Sequence, residues 1–199
     1  MTRNHYAKSF VVLTLLTGAL LMQRANPAQA GSSKISIEPL RVFGVGTVIP
    51  GTGTILVRTK EAVGATVHTF GLVPGNAYTL WVTVFNDPKK CSTSPCTVAD
   101  LPNPDVRAVV LWGSGQIAGD DGTADFGAYR EEGDTSGREP AFGTATALED
   151  THKAEVHLVI RSHGPASADP AVLQQQLSTF NGGCPPNTCK SMQAAPHQP

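Results

Sequence analysis

The chain has 199 residues, with 15 Lys and Arg against 16 Asp and Glu, so its formal net charge is −1. This near-neutrality excludes a basic nucleic-acid-binding surface and a polybasic membrane-binding surface. Gly (20) and Pro (15) are plentiful and long helical apolar patterns are absent, which points to an all-β class.

Residues 1–30 read as a targeting segment. Arg3 and Lys8 precede an apolar run from Phe10 to Met22, and Ala28-Gln29-Ala30 supplies small residues at a cleavage position before Gly31. Export to a secreted or periplasmic location, with a mature chain beginning near Ala30/Gly31 and carrying no membrane span, is the expectation. With the segment go Arg3, Lys8 and Arg24 but no acidic residue, which leaves the mature chain mildly acidic. Residues 31–195 then form one domain, large enough to bury a core, and residues 196–199 a tail.

In chain order, Ile35–Val45 suggests a first strand interrupted by glycines. Thr54–Thr59 and Ala65–Phe70 follow. The clearest strand is Tyr78–Phe85, after a Pro74-Gly75-Asn76 reversal. Tyr78, Leu80, Val82 and Val84 share one face; Thr79, Trp81, Thr83 and Phe85 share the other. Asn86-Asp87-Pro88 ends it, because proline cannot donate to a ladder. Residues 87–105 form a long loop holding the first cysteine pair, and such loops are stapled or functional. Val106–Gly113 is a strand, and Asp120-Asp121-Gly122 marks a hairpin between Gln116–Ala118 and Thr123–Tyr129. Glu131–Gly143 reads as an exposed loop. Ala154–Ser162 is the second clear strand. Asp169-Pro170 opens the one convincing helix, with Leu173 and Leu177 turned to the core, and Lys190–Ala194 is a last strand.

The four cysteines, Cys91, Cys96, Cys184 and Cys189, form two C-x4-C pairs. An exported chain with an even number of cysteines reads as disulfide-bonded, and the two local pairings are favoured over crossed ones. Structural zinc sites usually have shorter Cys spacing. The whole describes a Greek-key β-sandwich, immunoglobulin-like or a flattened barrel, with one short helix near the C-terminus.

Leu72-x-Pro74-x-x-x-Tyr78 resembles the tyrosine corner of immunoglobulin-like and fibronectin type III sandwiches, where a tyrosine hydroxyl bonds to upstream backbone. The resemblance covers only this stretch, and about 100 residues follow it here, unlike the order in fibronectin type III modules. The Asn-Asp-Pro…Cys segment, Val-His-Leu-Val-Ile-Arg-Ser-His-Gly-Pro and the late cysteine pair together resemble exported bacterial β-sandwich proteins. That resemblance implies secretion and a β fold, and no chemistry.

Three groups of residues bear on function. Period-2 geometry puts Glu155, His157 and Arg161 on one strand face, with His163 at its exit. With His152 or His68 brought in by the fold, this is a candidate copper or zinc site; the competing reading is a hydrogen-bonded polar surface. Asp120, Asp121 and Asp125 cluster in a hairpin, where Asp is expected for backbone reasons, and Ser162-His163 lacks a nucleophile elbow. Trp81, Phe85 and Trp112 face outward from the main sheet. They are core if the helix covers them and a binding patch if nothing does. The leading expectation is a secreted, non-catalytic module with a binding or structural role toward a protein or surface ligand, with no cofactor. The alternatives are a copper- or zinc-binding protein using His157, His163 and Glu155, and a hydrolase.

Overall fold

A computed structural model of the chain describes residues 33–185 and 189–199. The targeting segment expected over residues 1–30 lies outside them. Among the described residues no helix is long and apolar enough to cross a membrane.

Among the described residues, ten strands and one α-helix make up the fold: β1 (Lys34–Glu38), β2 (Arg41–Val42), β3 (Gly53–Arg58), β4 (Ala62–Thr69), β5 (Asn76–Phe85), β6 (Ala108–Ile117), β7 (Ala124–Glu131), β8 (Arg138–Gly143), β9 (Glu155–Pro165), α1 (Pro170–Ser178) and β10 (Lys190–His197). One antiparallel sheet has the order β1-β3-β4-β7, and the other β2-β10-β9-β5-β6-β8. β4 and β7 are neighbours although the β5–β6 hairpin of the opposite sheet separates them in sequence, which is a Greek-key crossover of a sandwich.

β5 is central, flanked by β6 and β9, and every residue after Asn76 is buried. Its even face, Tyr78, Leu80, Val82 and Val84, joins Leu56, Val67, Leu111, Phe126, Val156, Leu158 and Ile160 in the core between the sheets. Burial of each such side chain contributes about 1.5–3 kcal/mol. The Tyr78 hydroxyl accepts a hydrogen bond from the Val73 amide at 2.9 Å, the upstream bond that a tyrosine corner makes.

The odd face of β5 is covered as well, but not mainly by the helix. Trp81 and Phe85 pack with Cys96, Leu101, Val106, Ala108 and Val110, so the 86–107 loop supplies the lid of a second apolar cluster. α1 packs on β5 and β6 together, toward the Thr79 and Gly115 end of the pair. Gly115 permits this, because a Cβ there would overlap the Leu177 carbonyl. The same carbonyl accepts the Trp112 indole N–H at 3.0 Å. Asp169 caps α1 through the amides of Ala171 and Val172. The buried residue of the helix is Gln176, whose side chain holds the Ser167 amide and the Pro165 carbonyl; Leu173 and Leu177 are only half-buried.

Four expectations are corrected. Asp120-Asp121-Gly122 turns the chain but closes no hairpin, because β6 and β7 belong to different sheets and pair with β5 and β8, and with β4, respectively. Residues 131–143 are not all loop: Arg138–Gly143 is an edge strand on β6, polar because an edge faces water. Gln116 and Ile117 do not start a separate strand; they continue β6 through Gly113 and Gly115. Residues 196–199 are not a free tail. β10 runs on to His197, pairing Pro196 with His157 and His197 with Val156, and His197 is fully buried. Both disulfides are local: Cys91–Cys96 with Cα atoms 5.4 Å apart, and Cys184–Cys189 with Cα atoms 5.6 Å apart.

Candidate functional site

The outer face of the six-stranded sheet carries the residues with chemical potential. Antiparallel register sets Trp81 beside Val159 and Trp112, Thr83 beside His157, and Thr79 beside Arg161. The loop lid covers the end nearest Phe85, and the chain leaving α1 covers the other. Between them lies a cleft of about 750 Å³ whose walls include Trp81, Phe85, Val98, Phe142, His157, Val159, Arg161 and Phe180. Phe180 organises one wall. Its ring lies 4.9 Å from Trp81 edge-on, 4.8 Å from Phe142, and 4.1 Å beneath the Arg161 guanidinium.

Among the described residues Arg161 bonds only neutral oxygens: the carbonyls of Phe180 (2.8 Å) and Cys189 (3.1 Å), Asn181 Oδ1 (2.6 Å) and Ser191 Oγ (3.4 Å). Among the described residues no carboxylate forms an ion pair with it. Burial lowers its pKa, while Glu139 opposes that shift from a distance. The cleft therefore has an aromatic wall with a cation set into it that, among the described residues, no carboxylate contacts directly.

At the other end, Glu155 is almost fully buried. Its Oε1 accepts from the Cys96 amide (2.7 Å) and His157 Nε2 (2.5 Å), and its Oε2 accepts from Gln198 Nε2 (2.7 Å). The carboxylate thus ties the disulfide loop to β9 and β10. It separates the aromatic cleft from a polar hollow of about 800 Å³ that holds Lys89, Arg107, His152 and Lys153. Glu155 and His157 come together as the strand parity predicts, and His152 lines the neighbouring hollow. His68 sits on the opposite sheet, in an exposed 2.6 Å pair with Asp125. Ser162 lies on the other face of β9 from His163 and accepts the Gly164 amide.

His163 does not join His157. Six residues of extended strand hold them about 20 Å apart. His163 is fully buried, with Nε2 2.9 Å from Thr79 Oγ1, which also accepts the Trp81 indole N–H at 2.8 Å. Its Nδ1 lies 3.1 Å from the Gly182 carbonyl, 3.3 Å from Cys184 Sγ and 3.4 Å from Cys189 Sγ. Burial, then Arg161, lowers its pKa against the opposing Gly182 bond. Among the described residues these three form a group able to converge on one metal ion. No linear spacing announces it. The only sequence signal is that His163 shares parity with Arg161, so it faces whatever returns over the sheet after α1.

Behind Glu155 lies a further buried network. Arg58, 1% exposed, donates to the carbonyls of Thr151 (2.6 Å), Ala154 (2.9 Å), His197 (3.1 Å) and Gln198 (3.3 Å). Burial brings its pKa down to about 10, partly offset by Glu155. Thr54 Oγ1 gives its proton to the Glu38 carbonyl, so His197 Nε2, 2.8 Å away, must be the donor to Thr54. His197 Nδ1 is then the acceptor for Ser36 Oγ at 2.8 Å. The imidazole is neutral and fully engaged, which marks a structural role.

Comparison with known proteins finds no matching family model, no matching curated protein and no matching solved structure.

Proposed function

We propose that this chain is an exported, non-catalytic β-sandwich module that binds a small ligand with an apolar or aromatic body and an anionic group in the cleft over β5 and β9. The observation that carries this reading is the Arg161 guanidinium, stacked on Phe180 and bordering an aromatic-walled cleft, with no carboxylate in direct contact with it among the described residues. A desolvated cation beside apolar surface favours a ligand carrying its own negative charge. The volume matches a small molecule. Export is supported by the character of residues 1–30 and by the two disulfides. A binding rather than a catalytic role is supported by Glu155 and His157, whose polar atoms hold each other, Cys96 and Gln198.

Trp81 is the reporter, since it lies in the wall. Titration with naphthoate should change its emission, and uncharged naphthalenemethanol should bind about tenfold more weakly, a difference of about 1.4 kcal/mol. Arg161→Gln should abolish that preference, and Phe142→Ala should weaken both ligands. Naphthoate binding that is absent, or indifferent to both substitutions, rules the cleft out.

A further inference from the structure

We propose that the Cys184–Cys189 pair, once reduced, forms with His163 Nδ1 a three-ligand site for Cu(I). The separations of Nδ1 from the two sulfurs, 3.3 and 3.4 Å, are close to the N···S distance of about 3.5 Å expected for an imidazole and a thiolate sharing one metal. The two sulfurs and the ring nitrogen all lie within 4.8 Å of one another.

The donor set selects the metal. Two thiolates and an imidazole are soft, and soft donors favour Cu(I). Among the described residues no fourth His, Cys, Asp or Glu joins the group. Cu(I) accepts trigonal coordination, whereas structural zinc asks for four ligands. The imidazole is also oriented from behind. For Nδ1 to bind the metal, it gives up its bond to the Gly182 carbonyl and the ring proton moves to Nε2, which then donates to Thr79 Oγ1, 2.9 Å away. His163 is buried, while both cysteines are half-buried, which leaves the sulfur side as the way in.

The chemistry balances in two steps. A dithiol reductant transfers two electrons and two protons to the disulfide and is itself oxidised to a disulfide. Cu(I) then displaces the two thiol protons, giving a bis-thiolate complex of charge −1 and two released protons. The site also touches the cleft. Thr79 Oγ1 is shared with the Trp81 indole, and the Cys189 carbonyl is held by Arg161. Occupation should therefore register in Trp81 emission without any cleft ligand, so this inference and the cleft reading succeed or fail separately.

The test uses the mature chain, reduced with a phosphine and freed of it, then titrated with Cu(I) presented as its bicinchoninate complex. The reduced protein should strip one Cu(I) per chain from the chelator and shift Trp81 emission, while the disulfide form takes none. Cys184→Ser/Cys189→Ser, which keeps Cys91 and Cys96, should lose about 100-fold or more in affinity and lose the emission change. His163→Gln should lose at least about tenfold, with the Cys184/Cys189 thiols still titratable. Should the glutamine variant fail to fold, the serine pair and X-ray absorption of the loaded wild type, which reads two sulfurs and one nitrogen, decide the matter. Equal copper affinity in the serine variant, or a sulfur-only shell in the wild type, overturns the site.

Discussion

Acid should destabilise this fold through His197 as pH falls from about 6.5 to about 4. The ring is fully buried, and burial, reinforced by Arg58 and His157, lowers its pKa from the ordinary 6.5 to about 4. The unfolded chain then binds a proton near pH 6.5 that the folded chain refuses until about pH 4. Stability due to the neutral ring is complete above 6.5 and is lost as pH falls through that window. The shift corresponds to about 3 kcal/mol, a large fraction of a domain's total. Burial raises the Asp100 pKa, but hydrogen bonds from Ser92 and Thr97 outweigh it and hold the group at about 2, so its contribution disappears only below its ordinary 3.8. His163 shifts in the same direction as His197 and has to be separated from it. Urea unfolding followed by tryptophan emission, run from about pH 7 to about pH 4 on wild type and His197→Gln, does this, because His163 is present in both. The wild type should be the more stable at neutral pH, and the gap between the two should shrink by about 3 kcal/mol across the series. A gap that stays constant, or a His197 imidazole titrating near 6.5 by NMR, refutes the reasoning.

Other substitutions probe the frame that presents the cleft. Arg58→Met should cost at least about 3 kcal/mol in urea unfolding, because three buried carbonyls and that of exposed Gln198 lose their donor; a loss under about 1 kcal/mol would contradict that accounting. Tyr78→Phe removes the acceptor for the Val73 amide and should cost about 1–2 kcal/mol with the fold retained by circular dichroism. Gly115→Ala places a methyl on the Leu177 carbonyl, so α1 must move. The expected cost is about 1–3 kcal/mol, with a change in Trp112 emission as its bond to that carbonyl is disturbed. An unchanged Trp112 signal would mean that α1 does not rest on Gly115.

Local pattern carried much of the candidate site. Alternation along 155–161 correctly puts Glu155, His157 and Arg161 on one face, and strand rise keeps His163 from ever reaching His157. The same alternation put Tyr78, Leu80, Val82 and Val84 in the core, because a period of two is a property of extended backbone, whatever lies around it. Cysteine spacing likewise favoured the two local disulfides, since each loop has the right length to close on itself.

What alternation cannot state is what covers a face. Trp81 and Phe85 acquired the 86–107 loop as a lid, and α1 settled instead against Gly115. That choice depends on which distant surface fits, and backbone approach at a glycine is visible only in three dimensions. His163 meets Cys184 and Cys189 because the chain doubles back after α1, and Arg58 finds carbonyls from β10 because the last strand is drawn in beside β9. The sequence by itself determined strand faces, turns and disulfide partners, all governed by interactions between near neighbours. Lids, convergent ligands and buried charge networks were decided by tertiary packing, because they join residues whose separation along the chain carries no information about their distance in space.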